Sequence, residues 1–281
     1  MSRHEYSSLR QGLVGAWCPS LGASGLSLLD RSRQGRHGAL TNMGGQTFWV
    51  PGGGALSLQF DGTDDFVTMG NSPTHDIFNG NCTISLWARV ASFPAASSSL
   101  PTILSKGQQV SNAFQGITIP YFSFGGVNYA QARFGASGVQ NDTNCSGLTA
   151  NTWFNCLWKI DGESRFAFTN GIQTDSRAHS ATVNSSAYDF MIGRQTGASA
   201  FLNGAVDDIR LYSRALTLAE IRLLASRRGI GLTPLPDRAA GLPRKLSVNV
   251  GGDWRPADAY VHNGTAFRLS DAKINVAGVW K

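Results

Sequence analysis

Cys82-Thr83-Ile84-Ser85-Leu86-Trp87-Ala88-Arg89-Val90 is the stretch that decides the fold class. Cys82, Ile84, Leu86, Ala88 and Val90 fall on one side of an extended chain, and Thr83, Ser85, Trp87 and Arg89 fall on the other. That two-residue alternation is the pattern of a strand with one face in a core. The stretch from Trp153 to Ile160 repeats it with Phe154, Cys156, Trp158 and Ile160. Behind it, Asp161-Gly162 signals a hairpin turn, because both residues tolerate positive φ. The return strand around 165–169 ends in Asn170-Gly171, a second hairpin turn of the favoured kind. Consecutive hairpins predict an antiparallel meander.

Composition agrees. The 281 residues are 42% hydrophobic and only 15% charged, with 33 glycines, a balance that suits many short strands and tight turns and excludes a disordered chain. Such a length fits one large all-β domain or two small ones. The net charge of +6 and a pI near 9.4 favour anionic partners. The arginines are scattered (Arg31, Arg33, Arg36, then Arg222, Arg227, Arg228) without interleaved aromatics, so they read as a solvated basic surface and not as a nucleic-acid site. Met1-Ser2-Arg3-His4-Glu5-Tyr6 lacks the basic-then-apolar design of a secretory signal, and no apolar run approaches the roughly 20 residues of a membrane helix. The expectation is a chain made in a host cytoplasm, without membrane insertion. Cys18, Cys82, Cys145 and Cys156 have no metal-type spacing and are expected as thiols, with no obligatory disulfide.

One helix is predicted. Thr217-x-x-Glu220 forms a capping box ahead of Leu218, Ile221, Leu224 and Ala225 on one face, and Arg227, Arg228 and Gly229 suit its end. Pro234, Pro236, Gly241 and Pro243 then mark a linker. The expected organisation is a sandwich over 1–228, a linker over 229–243 and a small module over 244–281. The module contains an internal repeat: Val248-Asn249-Val250-Gly251-Gly252-Asp253-Trp254-Arg255 returns as Ile274-Asn275-Val276-Ala277-Gly278-Val279-Trp280-Lys281, with Val261-His262-Asn263-Gly264-Thr265-Ala266-Phe267-Arg268 as a looser copy. Each copy reads as a small β-hairpin. Some forty residues bury little surface, so Trp254, Phe267 and Trp280, with Arg255, Arg268 and Lys281 beside them, are read as anchors into a partner protein with an acidic receiving surface.

From Gly12 to about Ser226 the order of motifs resembles the laminin G-like family of concanavalin A-like jelly rolls. Gly12-Leu13-Val14-Gly15-Ala16-Trp17 opens it, followed by Asp30-Arg31-Ser32-x-x-Gly35-x-x-Gly38, Leu58-Gln59-Phe60-Asp61-Gly62-Thr63-Asp64-Asp65-Phe66-Val67, Ile84-Ser85-Leu86-Trp87, Ile103-Leu104-Ser105-Lys106-Gly107 and Asp161-Gly162. Leu202-Asn203-Gly204-Ala205-Val206-Asp207-Asp208-Ile209-Arg210-Leu211-Tyr212-Ser213-Arg214-Ala215-Leu216-Thr217-x-x-Glu220-Ile221 closes it. The resemblance implies a two-sheet antiparallel jelly-roll sandwich with one short C-terminal helix, whose relatives bind glycans or proteins through rim loops, some with calcium. The repeat at 244–281 is similar to short repeats at the ends of bacteriophage structural proteins.

A glycanase needs paired carboxylates across the scissile bond. Glu5, Glu163 and Glu220 are the glutamates, at the terminus, beside a turn and in the capping box, and no nucleophile elbow occurs, so a non-catalytic protein is expected. Asp61, Asp64 and Asp65, joined across the rim by Asp207 or Asp208, could ligate Ca²⁺. The same acidic run also reads as a turn whose carboxylates cap backbone amides, and the turn reading is favoured because no full ligand set is visible. Trp49, Tyr121 and Tyr129 are candidate sugar platforms, with Asn128, Asn141, Asp142 and Asn144 as polar groups nearby; Trp17, Trp87 and Trp158 are assigned to packing. The functional expectation is a lectin-like adhesion module on a bacteriophage virion, as capsid decoration or tail fibre, contacting other virion proteins through 244–281 and cell-surface glycans through the sandwich, with a homo-oligomer suiting a fibre. The alternative is a stand-alone carbohydrate-binding lectin. A glycoside hydrolase ranks third.

Overall fold

The computed structural model describes residues 6–43, 48–52, 55–97, 99–110, 113–136, 139–180, 182–185, 187–197 and 199–232, and the backbone of six strands within 246–280. The chain forms two compact units, Met1–Thr233 and Pro234–Lys281.

In the first unit the strands are β1 (Leu13–Trp17), β2 (Ser27–Leu28), β3 (Gly38–Thr41), β4 (Trp49–Gly52), β5 (Ala55–Asp61), β6 (Phe66–Thr68), β7 (Cys82–Val90) and β8 (Thr102–Val110). They continue as β9 (Ala113–Phe124), β10 (Val127–Ala136), β11 (Val139–Ser146), β12 (Phe154–Asp161), β13 (Ser164–Thr169), β14 (Ile172–Ala178), β15 (Met191–Ile192) and β16 (Asn203–Tyr212), followed by helix α1 (Leu218–Ser226). One sheet runs β14-β13-β12-β7-β16-β5-β4, with β1 also on β16, and the other runs β11-β10-β9-β8-β15-β6-β3-β2. All their ladders are antiparallel, and the sheets enclose a core that includes Trp17, Phe60, Leu86, Ile119, Phe134 and Trp158. This is the two-sheet jelly-roll sandwich that the family resemblance implies, built from antiparallel strands that the alternation predicts.

The middle of the first sheet is buried on both faces, whereas its edge strand β14 is exposed. Leu157, Phe168 and Tyr212 leave its far side to meet Leu9, Leu13, Ile221, Leu224, Ile230 and Leu232 in a second cluster roofed by α1. The capping box is present: Thr217 Oγ1 accepts from the Glu220 amide at 3.3 Å, and the Thr217 amide donates to Glu220 at 2.9 Å. Arg214 grips the same carboxylate at 2.7 Å and, with the cap, holds its pKa down to about 2. Trp87 is half-buried on the helix side, its indole N–H donating to the Leu224 carbonyl at 3.2 Å, whereas Trp17 and Trp158 are fully buried.

Two local readings shift. Asp161 pairs with Ser164, so the turn residues are Gly162 and Glu163, with Gly162 at φ 61°, the geometry that puts glycine first in a two-residue turn. The turn at Asn170-Gly171 falls as predicted, both residues at positive φ (50° and 79°). The stretch expected as linker from 229 packs on the sandwich as far as Leu232, because Ile230 and Leu232 are apolar enough to join the second cluster and Arg210 binds the Ile230 carbonyl. The prolines and glycine of 233–245 lie outside the described residues.

In the second unit the described strands form hairpins β17 (Leu246–Val250) with β18 (Asp253–Ala257), β19 (Tyr260–His262) with β20 (Phe267–Leu269), and β21 (Asn275–Val276) with β22 (Val279–Trp280). Asn249 pairs with Trp254, His262 with Phe267 and Asn275 with Trp280, so one register recurs every 13 residues. Arg255 and Arg268 follow the aromatic on β18 and β20, opposite Val248 and Val261; Lys281 lies outside the described residues.

Candidate functional site

β9, β10 and β11 lie side by side at one end of the second sheet. Ile117, Ile119 and Tyr121, then Ala130, Ala132 and Phe134, then Cys145 point into the core. Strand alternation sends the residues between them to the opposite face: Phe122 and Phe124 of β9, Val127, Tyr129, Gln131 and Arg133 of β10, and Asp142 and Asn144 of β11. In register, Phe124 faces Val127, Phe122 faces Tyr129, Gln131 faces Asn144 and Arg133 faces Asp142.

These side chains form one continuous strip. At the hairpin tip Gly125 and Gly126 take φ 58° and 79°, the paired positive values of a tight turn, and present Phe124 at 68% exposure beside Val127 at 37%. Behind the tip the Phe122 and Tyr129 rings lie 5.6 Å apart, tilted by 36°. The Arg133 guanidinium sits 5.9 Å over the Phe122 ring and donates through Nε to Gln131 Oε1 at 2.7 Å; Gln131 Nε2 donates in turn to Asn144 Oδ1 at 2.9 Å. Burial pulls the Arg133 pKa below its ordinary value despite the opposing field of Asp142. Aromatic faces beside fixed amide and guanidinium groups can stack on the C–H face of a ring and bond its oxygens.

Of the sequence candidates, Tyr129, Asp142 and Asn144 lie on this strip and Trp49, Tyr121, Asn128 and Asn141 do not. Tyr121 is buried on the core side, its hydroxyl accepting from the Asn203 amide at 3.1 Å and its ring edge-on to Phe93. Asn141 is buried against Arg165, and Asn128 sits on the core parity of β10 with its amide on the Leu148 carbonyl at 2.9 Å. Trp49 belongs to the other sheet, where its indole binds the Gly25 carbonyl at 2.9 Å. Strand parity turns Tyr121, Asn128 and Asn141 to the core side, and Trp49 lies on the other sheet. Phe122, Phe124, Gln131 and Arg133 were missed, although the alternation through Phe122-x-Phe124-Gly-Gly-Val127-x-Tyr129-x-Gln131-x-Arg133 carries the signal.

The carboxylates of Asp61, Asp64 and Asp65 offer ligand atoms within 4.8 Å of one another at the crossing from β5 to β6. Asp65 accepts from the Asp61 amide at 3.0 Å and Asp61 from the Thr63 amide at 2.7 Å, so backbone amides already use part of the set. Burial, and then the neighbouring acids, raise the Asp65 pKa. Asp207 does not join them. It is buried in a bulge of β16, where that strand passes from β5 (Val206 opposite Leu58) to β1 (Ile209 opposite Trp17). There its carboxylate takes the Ser20 amide at 3.0 Å and lies 3.4 Å from Arg228, whose guanidinium covers Trp153 at 4.3 Å.

Burial pushes the Asp207 carboxyl up to about 6 against the pull of the Ser20 amide and Arg228. Because this folded value lies above the unfolded one of about 3.9, the group favours folding at low pH and loses that contribution as pH rises from about 4 through 6. His75, pressed to about 4 chiefly by burial, has the opposite slope over the same range, so the test is a difference. Asp207→Asn is expected to gain about 1 kcal/mol relative to the parent between pH 5 and pH 7, read from urea melts at both values. A pH-independent difference would refute the assignment.

A two-sheet antiparallel sandwich whose second sheet carries an outward strip, exposed at Phe124 and Val127, half-buried at Tyr129, Arg133 and Asn144 and buried at Phe122 and Gln131, is a lectin-type jelly roll. The chain belongs to the concanavalin A-like lectin/glucanases superfamily, whose laminin G-type model matches residues 61–222. No curated protein sequence matches it significantly. Among solved structures it is similar to domain 4 of AbnA, an extracellular GH43 arabinanase from Geobacillus stearothermophilus, in complex with arabinotriose (TM-score 0.56, 17% identity, 76% of this chain and 98% of that one). It is also similar to the binding domain of botulinum neurotoxin DC in complex with SialylT (TM-score 0.56, 17% identity, 77% and 52%) and to the binding domain of Paraclostridial mosquitocidal protein 1 (TM-score 0.54, 17% identity, 77% and 52%). At these identities the likeness is one of fold.

Proposed function

We propose that the chain is a non-catalytic adhesion protein that holds a glycan against the outer face of β9–β11. The observation that carries this reading is the strip itself, with exposed Phe124 leading to the Phe122–Tyr129 pair and then to the Arg133–Gln131–Asn144 chain. Similar folds seen with arabinotriose and with SialylT are consistent with it. The absence of catalysis is supported by the carboxylates already engaged in structure: Glu220 by Arg214 and its cap, Asp208 by Arg210, and Asp207 by Arg228. In this reading the hairpins of 246–280 attach the chain to a bacteriophage virion, as capsid decoration or tail fibre. Their support is the 13-residue register and its sequence likeness to phage structural repeats. A stand-alone lectin is the second reading, favoured by the compactness of Met1–Thr233 as a unit.

Two measurements test the proposal. On a glycan array, Tyr129→Ala is expected to lower the signal of any bound saccharide about tenfold, the loss of a ring-stacking contact. Unchanged binding would move the site elsewhere. Electron cryomicroscopy of particles carrying the chain is expected to find 246–280 seated on another virion protein; a chain that never co-purifies with particles leaves the lectin reading.

A further inference from the structure

We propose that Arg133 makes the outer face of β9–β11 selective for saccharides that carry a carboxylate. The inference rests on the glycan-binding reading above and adds the chemical class of the ligand.

Arg177, Arg210, Arg214 and Arg228 each have a carboxylate oxygen within 3.4 Å, so their charge is answered inside the fold. Among the described residues Arg133 has no such carboxylate, a condition it shares with Arg89, Arg165 and Arg194, and it is set apart by its place on the outward face beside the aromatic pair. Its bonded partner is the neutral amide of Gln131, which takes Nε and is itself fixed by Asn144. With Nε engaged and the guanidinium packed over Phe122, the group has few orientations, and its Nη edge is the part left to recognise a ligand. Asp142 stands opposite it in register, yet its field does not offset the cost of burial, and the guanidinium remains a partly dehydrated cation. A carboxylate on a bound ring would add to the partial counter-charge of Asp142 through two parallel N–H···O bonds, the geometry that a guanidinium matches and an ammonium does not. The aromatic pair lies two outward positions along β9 and β10, past Pro120 and Gln131, and the guanidinium reaches back over Phe122, so the sugar ring and its acid group can be read together. A neutral sugar would gain the aromatic contact and leave the cation as it is. Uronate-type and sialate-type acids share this chemistry, and the test separates them.

The experiment is an array of uronate-bearing and sialate-bearing oligosaccharides, each printed beside its carboxyl methyl ester, probed with the full chain. Esterification removes the charge and keeps the ring. The free acids of one series are expected to bind about tenfold or more tightly than their esters, as charge-assisted bonds imply. Arg133→Gln is expected to abolish that ratio, whatever its effect on ester binding, and Arg133→Lys to restore part of it. Equal binding of acid and ester by the parent, or a preference that survives in Arg133→Gln with an unchanged melting temperature, overturns the proposal and leaves the glycan site intact. Failure of every saccharide to bind overturns both.

Discussion

Arg210→Met is expected to destabilise the sandwich by about 3–5 kcal/mol, the cost of stranding one partner of a buried ion pair. Arg210 is fully buried on the helix side of β16 and holds both oxygens of Asp208, at 2.6 and 2.9 Å, and the Ile230 carbonyl at 2.7 Å. Asp208 sits at φ 47° in the bulge and also accepts from the Gly229 amide at 2.8 Å. One bidentate pair thus connects the bulge to the segment that leaves α1. Methionine fills much of the volume but leaves the Asp208 carboxylate and the Ile230 carbonyl without their donor. Urea denaturation followed by tryptophan fluorescence would measure the effect. A loss below about 1 kcal/mol would mean that the bulge opens to water, contrary to a closed second cluster.

Lys106→Met is expected to cost about 3 kcal/mol by the same physics acting at the opposite sheet. The Lys106 ammonium is fully buried and donates to Asn71 Oδ1 at 2.8 Å, the Ser185 carbonyl at 3.0 Å and the Tyr188 carbonyl at 2.7 Å, with Asp76 at 3.1 Å. It fastens β8 to two irregular connections, 69–81 and 182–190. Next to it His75 is buried between Trp17 and Phe190, and its pKa is pressed down to about 4 first by burial and then by Lys106. The variant should therefore move the His75 titration upward, while burial keeps it below its ordinary 6.5. An unmoved titration in a folded variant would show that the lysine does not sense the histidine.

The strands were legible in the sequence wherever one face is buried and the other is not. Cys82–Val90 and Phe154–Asp161 show the alternation that places Ile84, Leu86, Cys156 and Trp158 in the core. Thr217 and Glu220 foretold the start of α1, because a capping box is a contact between residues three apart. The turn at Asn170-Gly171 was legible for the same local reason, whereas the turn at Gly162-Glu163 was misplaced by one residue because Asp161 and Gly162 satisfy the turn signal equally well. The outward strip of β9–β11 was less legible. Tyr121 and Tyr129 are both tyrosines near Gly125-Gly126, and only the parity of β9 and β10 sends one into the core and the other outward.

What the sequence determined by itself was local: the two-residue alternation, the positive-φ turns, the helix cap and the 13-residue hairpin repeat, since each is encoded between residues a few positions apart. Tertiary structure alone decided which charges are internal and which surface is open. Asp207 looks like a rim ligand beside Asp208 in the sequence, and it becomes a buried partner of Arg228 because β16 bulges where it changes neighbours. Arg133 becomes a partly dehydrated cation on an outward face because Phe122 of β9 packs beneath it and Gln131, held in turn by Asn144 of β11, takes its Nε. Burial and charge pairing depend on what the rest of the chain brings into contact, and those contacts form between residues far apart in the sequence.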